Sequence, residues 1–237
     1  MKLSREVLKI SKMRKNLILL FLATTVSAPV IAQTVEMDTV YRPRTYSLKV
    51  EQFRSYPDSE NDVVFLGNSL TEYTDWNELL QLPEVRNRGI SGDTSFGILE
   101  RLDEVTEGKP AKIFLLVGIN DISRNVPASL ILKNHQKIIS RIKKETPGTR
   151  IYLQTLLPVN NEFSRYKNHY NKDEVIKKVN DGLRELARKE EITLVDLHPH
   201  FLNEKKKLDK EFTEEGLHLN AKGYQLWAQV LKPYILE

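Results

Sequence analysis

The alternation of apolar segments is the feature that most limits how this chain can fold. From Asp62 onward, short apolar runs rich in β-branched residues alternate with longer segments of helical periodicity. The strand candidates are residues 62–66, 84–88, 112–117, 151–155 and 192–196, and the helix candidates are residues 74–82, 95–105, 127–145, 173–190 and 220–236. Because parallel strands need such crossover segments, the pattern predicts an α/β fold with a mainly parallel sheet covered on both faces.

Two of the helix candidates carry boundary and packing signals. Pro127 suits the first turn of a helix, and Asn220 is a candidate N-cap. The apolar positions of these two segments are Leu130, Ile131, Ile138, Ile139 and Ile142 in the first, and Tyr224, Leu226, Trp227 and Leu231 in the second. In open parallel sheets, ligands bind beyond the carboxyl ends of the strands, so we expect functional residues in the loops that follow the strands.

The first 32 residues have the pattern of a secretory signal peptide. Six basic residues precede an apolar run from Leu17 to Val30, and small Ala32 precedes Gln33. The run is shorter than the ~20 apolar residues of a membrane-spanning helix, which favours cleavage after Ala32 over a membrane anchor. We therefore expect an exported protein, periplasmic or secreted, in which residues 33–60 form an N-terminal extension or covering segment.

Charge and cysteine content exclude several classes of function. The leader holds six of the 36 basic residues and one of the 32 acidic residues, so the remainder has 30 basic against 31 acidic side chains. The basic pI of about 9.0 therefore belongs to the leader and does not indicate binding to nucleic acid or to an anionic membrane. The chain contains no cysteine, which excludes disulfides, thiolate catalysis and thiolate zinc sites.

Four polar clusters follow predicted strands or lie near the end of the sequence. They are GNSLT (67–71), RGISGDTS (88–95), GIND (118–121) and EEGLHLN (214–220). Ser69 lies at the end of an apolar strand, where it is either a helix cap or a nucleophile lifted into the crevice by a sharp turn. Its surroundings are not the G-x-S-x-G pattern of an α/β-hydrolase elbow. Ser91 is a rival nucleophile by residue type, although the neighbouring Gly92 explains it as a turn residue.

His218 is the candidate base for Ser69. A serine hydroxyl needs a base, and that base needs an orienting carboxylate, which Glu215 offers three residues earlier. Gly92 and Asn120 suit the stabilisation of an oxyanion, because a glycine lets the backbone approach a substrate and an asparagine amide donates without adding charge. Taken singly, Gly92 also reads as a turn glycine and Asn120 as the first residue of an Asx-turn.

In this order and with this spacing, the four clusters resemble the sequence blocks of the SGNH/GDSL hydrolase superfamily, in particular its platelet-activating-factor-acetylhydrolase-like and carbohydrate O-acetylesterase branches. The resemblance covers residues 62–237 and extends to TLLPVN (155–160), VDLH (195–198) and GLHLNAKGYQLWA (216–228). It implies a five-stranded parallel, flavodoxin-like sheet in a three-layer α/β/α sandwich, with residues 61–237 as an SGNH hydrolase-type catalytic domain.

The resemblance also implies the roles of the site residues. Ser69 would be the nucleophile and His218 the general base, and neither a metal nor a cofactor would take part. The oxyanion hole would consist of the backbone amides of Ser69 and Gly92 and the side chain of Asn120.

The sequence departs from the family pattern at two positions. Asn68 stands beside the serine where the family usually has an acid, and Glu215 replaces the usual Asp three residues before the histidine. Because Glu is longer by one methylene, two arrangements stay open. Either Glu215 completes a triad, or a backbone carbonyl orients His218 and the enzyme works as a dyad.

The function implied by the resemblance is that of a serine esterase. It would remove short acyl groups, acetyl first among them, from a hydroxylated small-molecule or glycan substrate through an acyl-enzyme, with no nucleic-acid partner and no membrane span after loss of the leader. A lysophospholipase or thioesterase of the same superfamily is the first alternative. The second is a non-catalytic glycan-binding module, in which the aromatic residues Tyr73, Trp76, Tyr166 and Tyr170 would stack on sugar rings.

Overall fold

The structure is a computed structural model that describes residues 38–237. The predicted signal peptide, residues 1–32, and the first part of the predicted extension lie outside these residues. Within residues 38–237, no helix combines the length and apolar character needed to cross a bilayer.

Five parallel strands form one sheet in the order β2-β1-β3-β4-β5. The strands are β1 (Val63–Gly67), β2 (Val85–Gly89), β3 (Lys112–Leu116), β4 (Arg150–Gln154) and β5 (Thr193–Val195). Their pairing is parallel throughout, and Val63 of β1 lies between Val85 of β2 and Lys112 of β3. The predicted α/β fold with a five-stranded parallel sheet is therefore confirmed.

Helices cover both faces of this sheet. They are α1 (Tyr46–Arg54), α2 (Ser69–Glu72), α3 (Trp76–Leu80), α4 (Ser95–Glu100), α5 (Asp103–Thr106), α6 (Ile119–Ser123), α7 (Ala128–Glu145), α8 (Asp173–Lys189) and α9 (Ala221–Leu236). Helix α7 packs against both α4 and α8 in one layer, while α3 packs against α9 in the other. The result is the three-layer α/β/α sandwich that the resemblance implies.

A row of aromatic side chains joins the sheet to the α3 and α9 layer. The ring of Phe114 on β3 stacks between those of Phe65 on β1 and Tyr152 on β4, at centroid distances of 4.9 and 4.4 Å. Trp76 of α3 stacks on Phe65 at 4.4 Å, and Trp227 of α9 meets Trp76 edge-on. Such contacts are each worth about 0.5–1.5 kcal/mol beyond burial of their area, so they fix how α9 sits on the sheet.

The long helices bury the faces that their periodicity predicts. Ile131, Ile138, Ile139 and Ile142 of α7 are fully buried, and Pro127 directly precedes the helix. Asn220 is the N-cap of α9, and its side chain accepts a hydrogen bond from the Gly223 amide at 3.1 Å. The N-cap of α9 is thereby fixed two residues after His218, one of the predicted site residues.

Two features of the helical layer were not apparent from periodicity. The first is α1, which lies inside the predicted covering segment and buries only Tyr46, Val50 and Phe53. The second is a break in the predicted helix of residues 95–105, which forms α4 and α5 with Arg101 at the end of α4.

Candidate active site

Ser69 is the first residue of α2, two residues beyond the end of β1. Asn68 caps this helix, because its Oδ1 accepts a hydrogen bond from the Leu70 amide at 3.0 Å. An aspartate could make the same cap, so the replacement of the usual acid by Asn68 preserves the turn. Ser69 is 6% exposed, and its Oγ lies 2.9 Å from Nε2 of His218.

His218 is held on the loop that leads into α9. Its carbonyl accepts a hydrogen bond from Thr213 Oγ1 at 2.6 Å. Its ring Nδ1 lies 2.8 Å from Glu215 Oε1, and the same oxygen accepts from the His218 backbone amide. The longer glutamate side chain therefore reaches the ring nitrogen. Among the described residues, this carboxylate and not a backbone carbonyl is the partner of Nδ1.

Glu215 is held in the ionised form by its contacts with His218. Burial would raise the pKa of Glu215, but the hydrogen bonds from the ring and the backbone amide of His218 outweigh it, so the pKa lies below its usual value. Its backbone is fixed as well, because Tyr170 Oη donates to the Glu215 carbonyl at 2.5 Å. A serine hydroxyl, an imidazole and a carboxylate in this order can move a proton from Oγ to Nε2.

Gly92 lies in a tight turn that follows β2. The Asp93 amide donates to the Ile90 carbonyl at 3.0 Å, and Gly92 has φ of +81°, as the third residue of a type II turn requires. The turn is tied to α2, since the Ser91 amide donates to Glu72 Oε2 at 2.6 Å. The rival nucleophile Ser91 contacts a tyrosine hydroxyl and not a histidine.

Asn120 lies in the first turn of α6, directly after β3. Its Nδ2 donates to the Asp93 carbonyl at 2.9 Å, which joins it to the turn of Gly92. Its Oδ1 lies 3.0 Å from Nε2 of His169. One N–H of the Asn120 amide is left for a ligand, and both atoms of the amide group are held in place. Asn120 is thus anchored between the turn of Gly92 and His169, a histidine that no sequence pattern marks.

His169 orients this amide as a neutral imidazole. Burial lowers the pKa of His169 to about 4, and the positive charge of Arg124 adds to the effect. At neutral pH the ring carries one proton, which must be on Nε2 to donate to Asn120 Oδ1. In the sequence, His169 lies in a polar stretch without periodicity, so its contact with Asn120 depends on the fold.

A buried ionic cluster supports the loops around these residues. Arg101 is 1% exposed, and its guanidinium contacts Asp93 at 2.9 Å and Glu104 at 2.8 Å. It also donates to the carbonyls of Gly67 and Arg88, at the carboxyl ends of β1 and β2. One side chain therefore links the strand before Ser69 to the turn that contains Gly92.

Two of the four candidate sugar-stacking aromatics lie beside His218. The ring centroids of Tyr73 and Tyr166 are 5.0 and 5.1 Å from that of His218. Trp76 and Tyr170 are 1% and 4% exposed, so they pack inside the protein and cannot stack on a ligand from solvent.

A cavity of about 540 Å³ adjoins the site on the side of His169 and Tyr166. This volume lies in the range of roughly 300–1,000 Å³ that is usual for small-molecule sites. Its other lining residues are Asp38, Ser123, Arg124, Asn125, Ser164, Arg165, Lys167 and Asn168. Hydroxyls, amides and charged groups predominate in this lining.

Comparisons with known proteins agree with this architecture. The model of the GDSL-like lipase/acylhydrolase family matches residues 65–226. A solved structure of a protein from Streptococcus pneumonia, described as a platelet activating factor, has a TM-score of 0.74 and 32% identity, over 80% of this chain and 92% of that one.

Two curated relatives match most of the chain. Platelet-activating factor acetylhydrolase IB subunit alpha2 of Rattus norvegicus is 29% identical, over 74% of this chain and 75% of that protein. N-acylneuraminate cytidylyltransferase of Escherichia coli is 28% identical over 74% of this chain, but the match spans only 41% of that protein. With the family model covering most of residues 38–237, the chain belongs to the GDSL-like lipase/acylhydrolase family and is a hydrolase that acts on ester bonds.

Proposed function

We propose that this protein is a serine esterase that removes short acyl groups, acetyl first among them, from a hydroxylated substrate such as a carbohydrate. One observation carries the proposal. Ser69 Oγ, the His218 ring and the Glu215 carboxylate form a continuous hydrogen-bonded chain with contacts of 2.9 and 2.8 Å. A structural serine in a helix cap has no need of such a partner.

In the proposed reaction, Nε2 of His218 takes the proton of Ser69 while Oγ attacks the ester carbonyl. The tetrahedral intermediate collapses to an acyl-serine, and His218 gives the proton to the departing alcohol oxygen. Water then attacks the acyl-serine with the same base, which releases the carboxylic acid and restores the hydroxyl. Glu215 stabilises the imidazolium that forms in each half of the cycle.

The oxyanion would be held by donors at three places. The Ser69 amide is in the first turn of α2, where helix geometry leaves amides without an intrahelical acceptor. The free N–H of Asn120 and the amide of Gly92 would complete the hole. The contacts of Asn120 with Asp93 and His169 preorganise its amide, and a donor that needs no reorganisation contributes most to catalysis.

The short acyl group and the hydroxylated acceptor have separate support. The name of the rat relative describes an acetylhydrolase, which supports the short acyl group. The name of the Escherichia coli relative refers to a sugar acid, which supports a hydroxylated acceptor. The polar cavity beside the site suits hydroxyl groups better than an alkyl chain, since Ser123, Asn125, Ser164 and Asn168 all line it.

An acetylhydrolase of a phospholipid is the second candidate. It is favoured by the two relatives that are named for platelet-activating factor. A lysophospholipase or thioesterase would need an apolar channel for its acyl chain, which the polar cavity does not offer. A pure glycan-binding module would have no use for the Ser69, His218 and Glu215 chain.

Hydrolysis of a p-nitrophenyl ester series from acetyl to octanoyl tests the proposal. We expect kcat/KM to be highest for acetyl and to fall to background in Ser69→Ala, with an unchanged far-UV spectrum. Full activity in Ser69→Ala would sink the mechanism, and a maximum at octanoyl would favour a lysophospholipase or thioesterase.

We also propose that the chain is exported and cleaved after Ala32. The support is the basic segment, the apolar run from Leu17 to Val30 and the small residue before Gln33. Cell fractionation and N-terminal sequencing test this directly. A mature protein that begins at Gln33 outside the cytoplasm is expected, and an uncleaved cytoplasmic chain would contradict the proposal.

A further inference from the structure

The cavity beside the candidate site carries an excess of positive charge. Arg124, Arg165 and Lys167 line it, against the single carboxylate of Asp38. Asp38 lies 3.5 Å from Arg124, while within residues 38–237 neither Arg165 nor Lys167 has a carboxylate within 4.0 Å. This is unusual for the chain beyond the leader, in which basic and acidic residues balance. An exposed pair of cations in a concave site attracts anions more strongly than the same pair on a flat surface.

Two residues that line this cavity also contact the proposed catalytic groups. His169 lines it and contacts Asn120 at 3.0 Å, and Tyr166 lines it with its ring 5.1 Å from that of His218. A substrate whose ester lies at Ser69 can therefore place the far side of its acceptor in the cavity. The positive charge of the cavity also acts on His169, which contacts Asn120, because Arg124 adds to the effect of burial in lowering the pKa of His169.

We propose that the cavity binds an anionic group of the acceptor, a carboxylate or a phosphate carried by the same molecule as the ester. This inference rests on the proposed esterase function and narrows its substrate to acidic hydroxylated compounds. The cations would contact the anion, and the hydroxyl and amide groups of Ser164 and Asn168 would contact its neighbouring hydroxyls. No change in the chemistry at Ser69 is required.

Matched substrates separate charge from shape. We would measure kcat/KM with O-acetylated glucuronate, its neutral methyl ester, and O-acetylated glucose 6-phosphate. The inference predicts that at least one of the two anions is preferred over the neutral ester by on the order of tenfold. The preferred anion identifies carboxylate or phosphate as the natural group. Because salt screens exposed charges, the preference for the anionic substrate should decrease between 20 and 500 mM NaCl.

The variant Arg165→Gln/Lys167→Gln tests the assignment to these side chains. Glutamine is shorter than arginine and lysine, but it keeps a polar end group while removing the charge. We expect the ratio of kcat/KM for the anionic over the neutral substrate to fall by on the order of tenfold. Lys144→Gln is the matched control. Lys144 is exposed in the last turn of α7, before β4 begins, and therefore lies near the amino ends of the strands, opposite the carboxyl ends where the site residues are. It should leave the ratio unchanged.

Direct binding keeps the inference testable if sugar esters are not turned over. Calorimetric titration with glucuronate and glucose 6-phosphate should show binding of at least one of the two anions. The methyl ester of glucuronate should not bind in the same way, and the double variant should lose the binding. Equal binding and equal rates for charged and neutral compounds would overturn the inference. The proposed function is judged apart from it, by hydrolysis of p-nitrophenyl acetate in the wild-type protein and in Ser69→Ala.

Discussion

Replacement of Glu215 by glutamine tests how much the carboxylate contributes to catalysis. In Glu215→Gln the side-chain oxygen can still accept hydrogen bonds from the ring and the backbone amide of His218, so the geometry is kept and only the charge is lost. The two side chains are 14% and 13% exposed, which means that solvent screens their interaction little. The charge therefore acts on the imidazolium of the transition state at close range.

The size of the effect follows from the distance. The two groups touch at 2.8 Å between Nδ1 and Oε1, which places their charge centres at about 4 Å. A unit pair at that separation interacts by about 4 kcal/mol when the effective dielectric constant is near 20. Loss of that stabilisation should lower kcat by on the order of 10³-fold. Glu215→Asp keeps the charge on a shorter side chain, so we expect its kcat to lie between those of the wild type and Glu215→Gln.

The measurement is kcat with saturating p-nitrophenyl acetate, alongside the midpoint of urea unfolding. Glu214→Gln is the matched control, because Glu214 is the exposed neighbour and does not contact the imidazole. If Glu215→Gln kept more than about a third of the wild-type kcat, while remaining folded, the triad would be refuted. The dyad alternative would then be the better description.

Three further predictions concern His169, Gly92 and His135, a buried histidine of α7. His169→Ala should lower kcat by on the order of 10- to 100-fold with a smaller change in KM, because Asn120 loses its orienting donor. His169→Gln keeps an N–H donor and should therefore recover part of kcat. Gly92→Ala should lower the free energy of unfolding by about 1–2 kcal/mol, because the φ of Gly92 is +81° and the added Cβ would lie 3.3 Å from Pro43. Gly148→Ala is the control, since Gly148 has open space around it, and it should not lower the free energy of unfolding. Burial lowers the pKa of His135 below its usual value, so the unfolded state takes up the proton first and the free energy of unfolding should fall as the pH drops below about 6.5. In urea unfolding at pH 7.5 and 5, His135→Gln should reduce that fall. An equal fall in the variant would count against this cause.

Local sequence patterns were sufficient for the elements that build the sheet and the long helices. Each predicted strand agrees with the observed one to within two residues. Apolar runs bounded by polar residues favour strands at β1, β3, β4 and β5, while β2 is polar and carries one β-branched residue, Val85. The isoleucines of α7 and the cap at Asn220 depend on neighbours along the chain, which the sequence displays directly.

Features that depend on distant contacts were not predictable in this way. The predicted helix of residues 95–105 is broken near Arg101, whose guanidinium binds carbonyls of two different strands. The contact of His169 with Asn120 joins residues 49 positions apart, and no local signal marks it. Helix α1 has too few apolar residues to stand out by periodicity, and it is recognisable only from the surface that it covers.

The separation of Ser69 and His218 has a consequence for the newly made chain. The two residues are 149 positions apart, which at 5–20 residues per second corresponds to roughly 7–30 s of synthesis. Throughout that interval the nucleophile exists without its base. Even a completed chain has no proton acceptor for Ser69 until α9 packs on the sheet and the loop that precedes it brings His218 to the serine. The chain should therefore be inert toward esters in the cell during synthesis, and activity should appear together with the last step of folding.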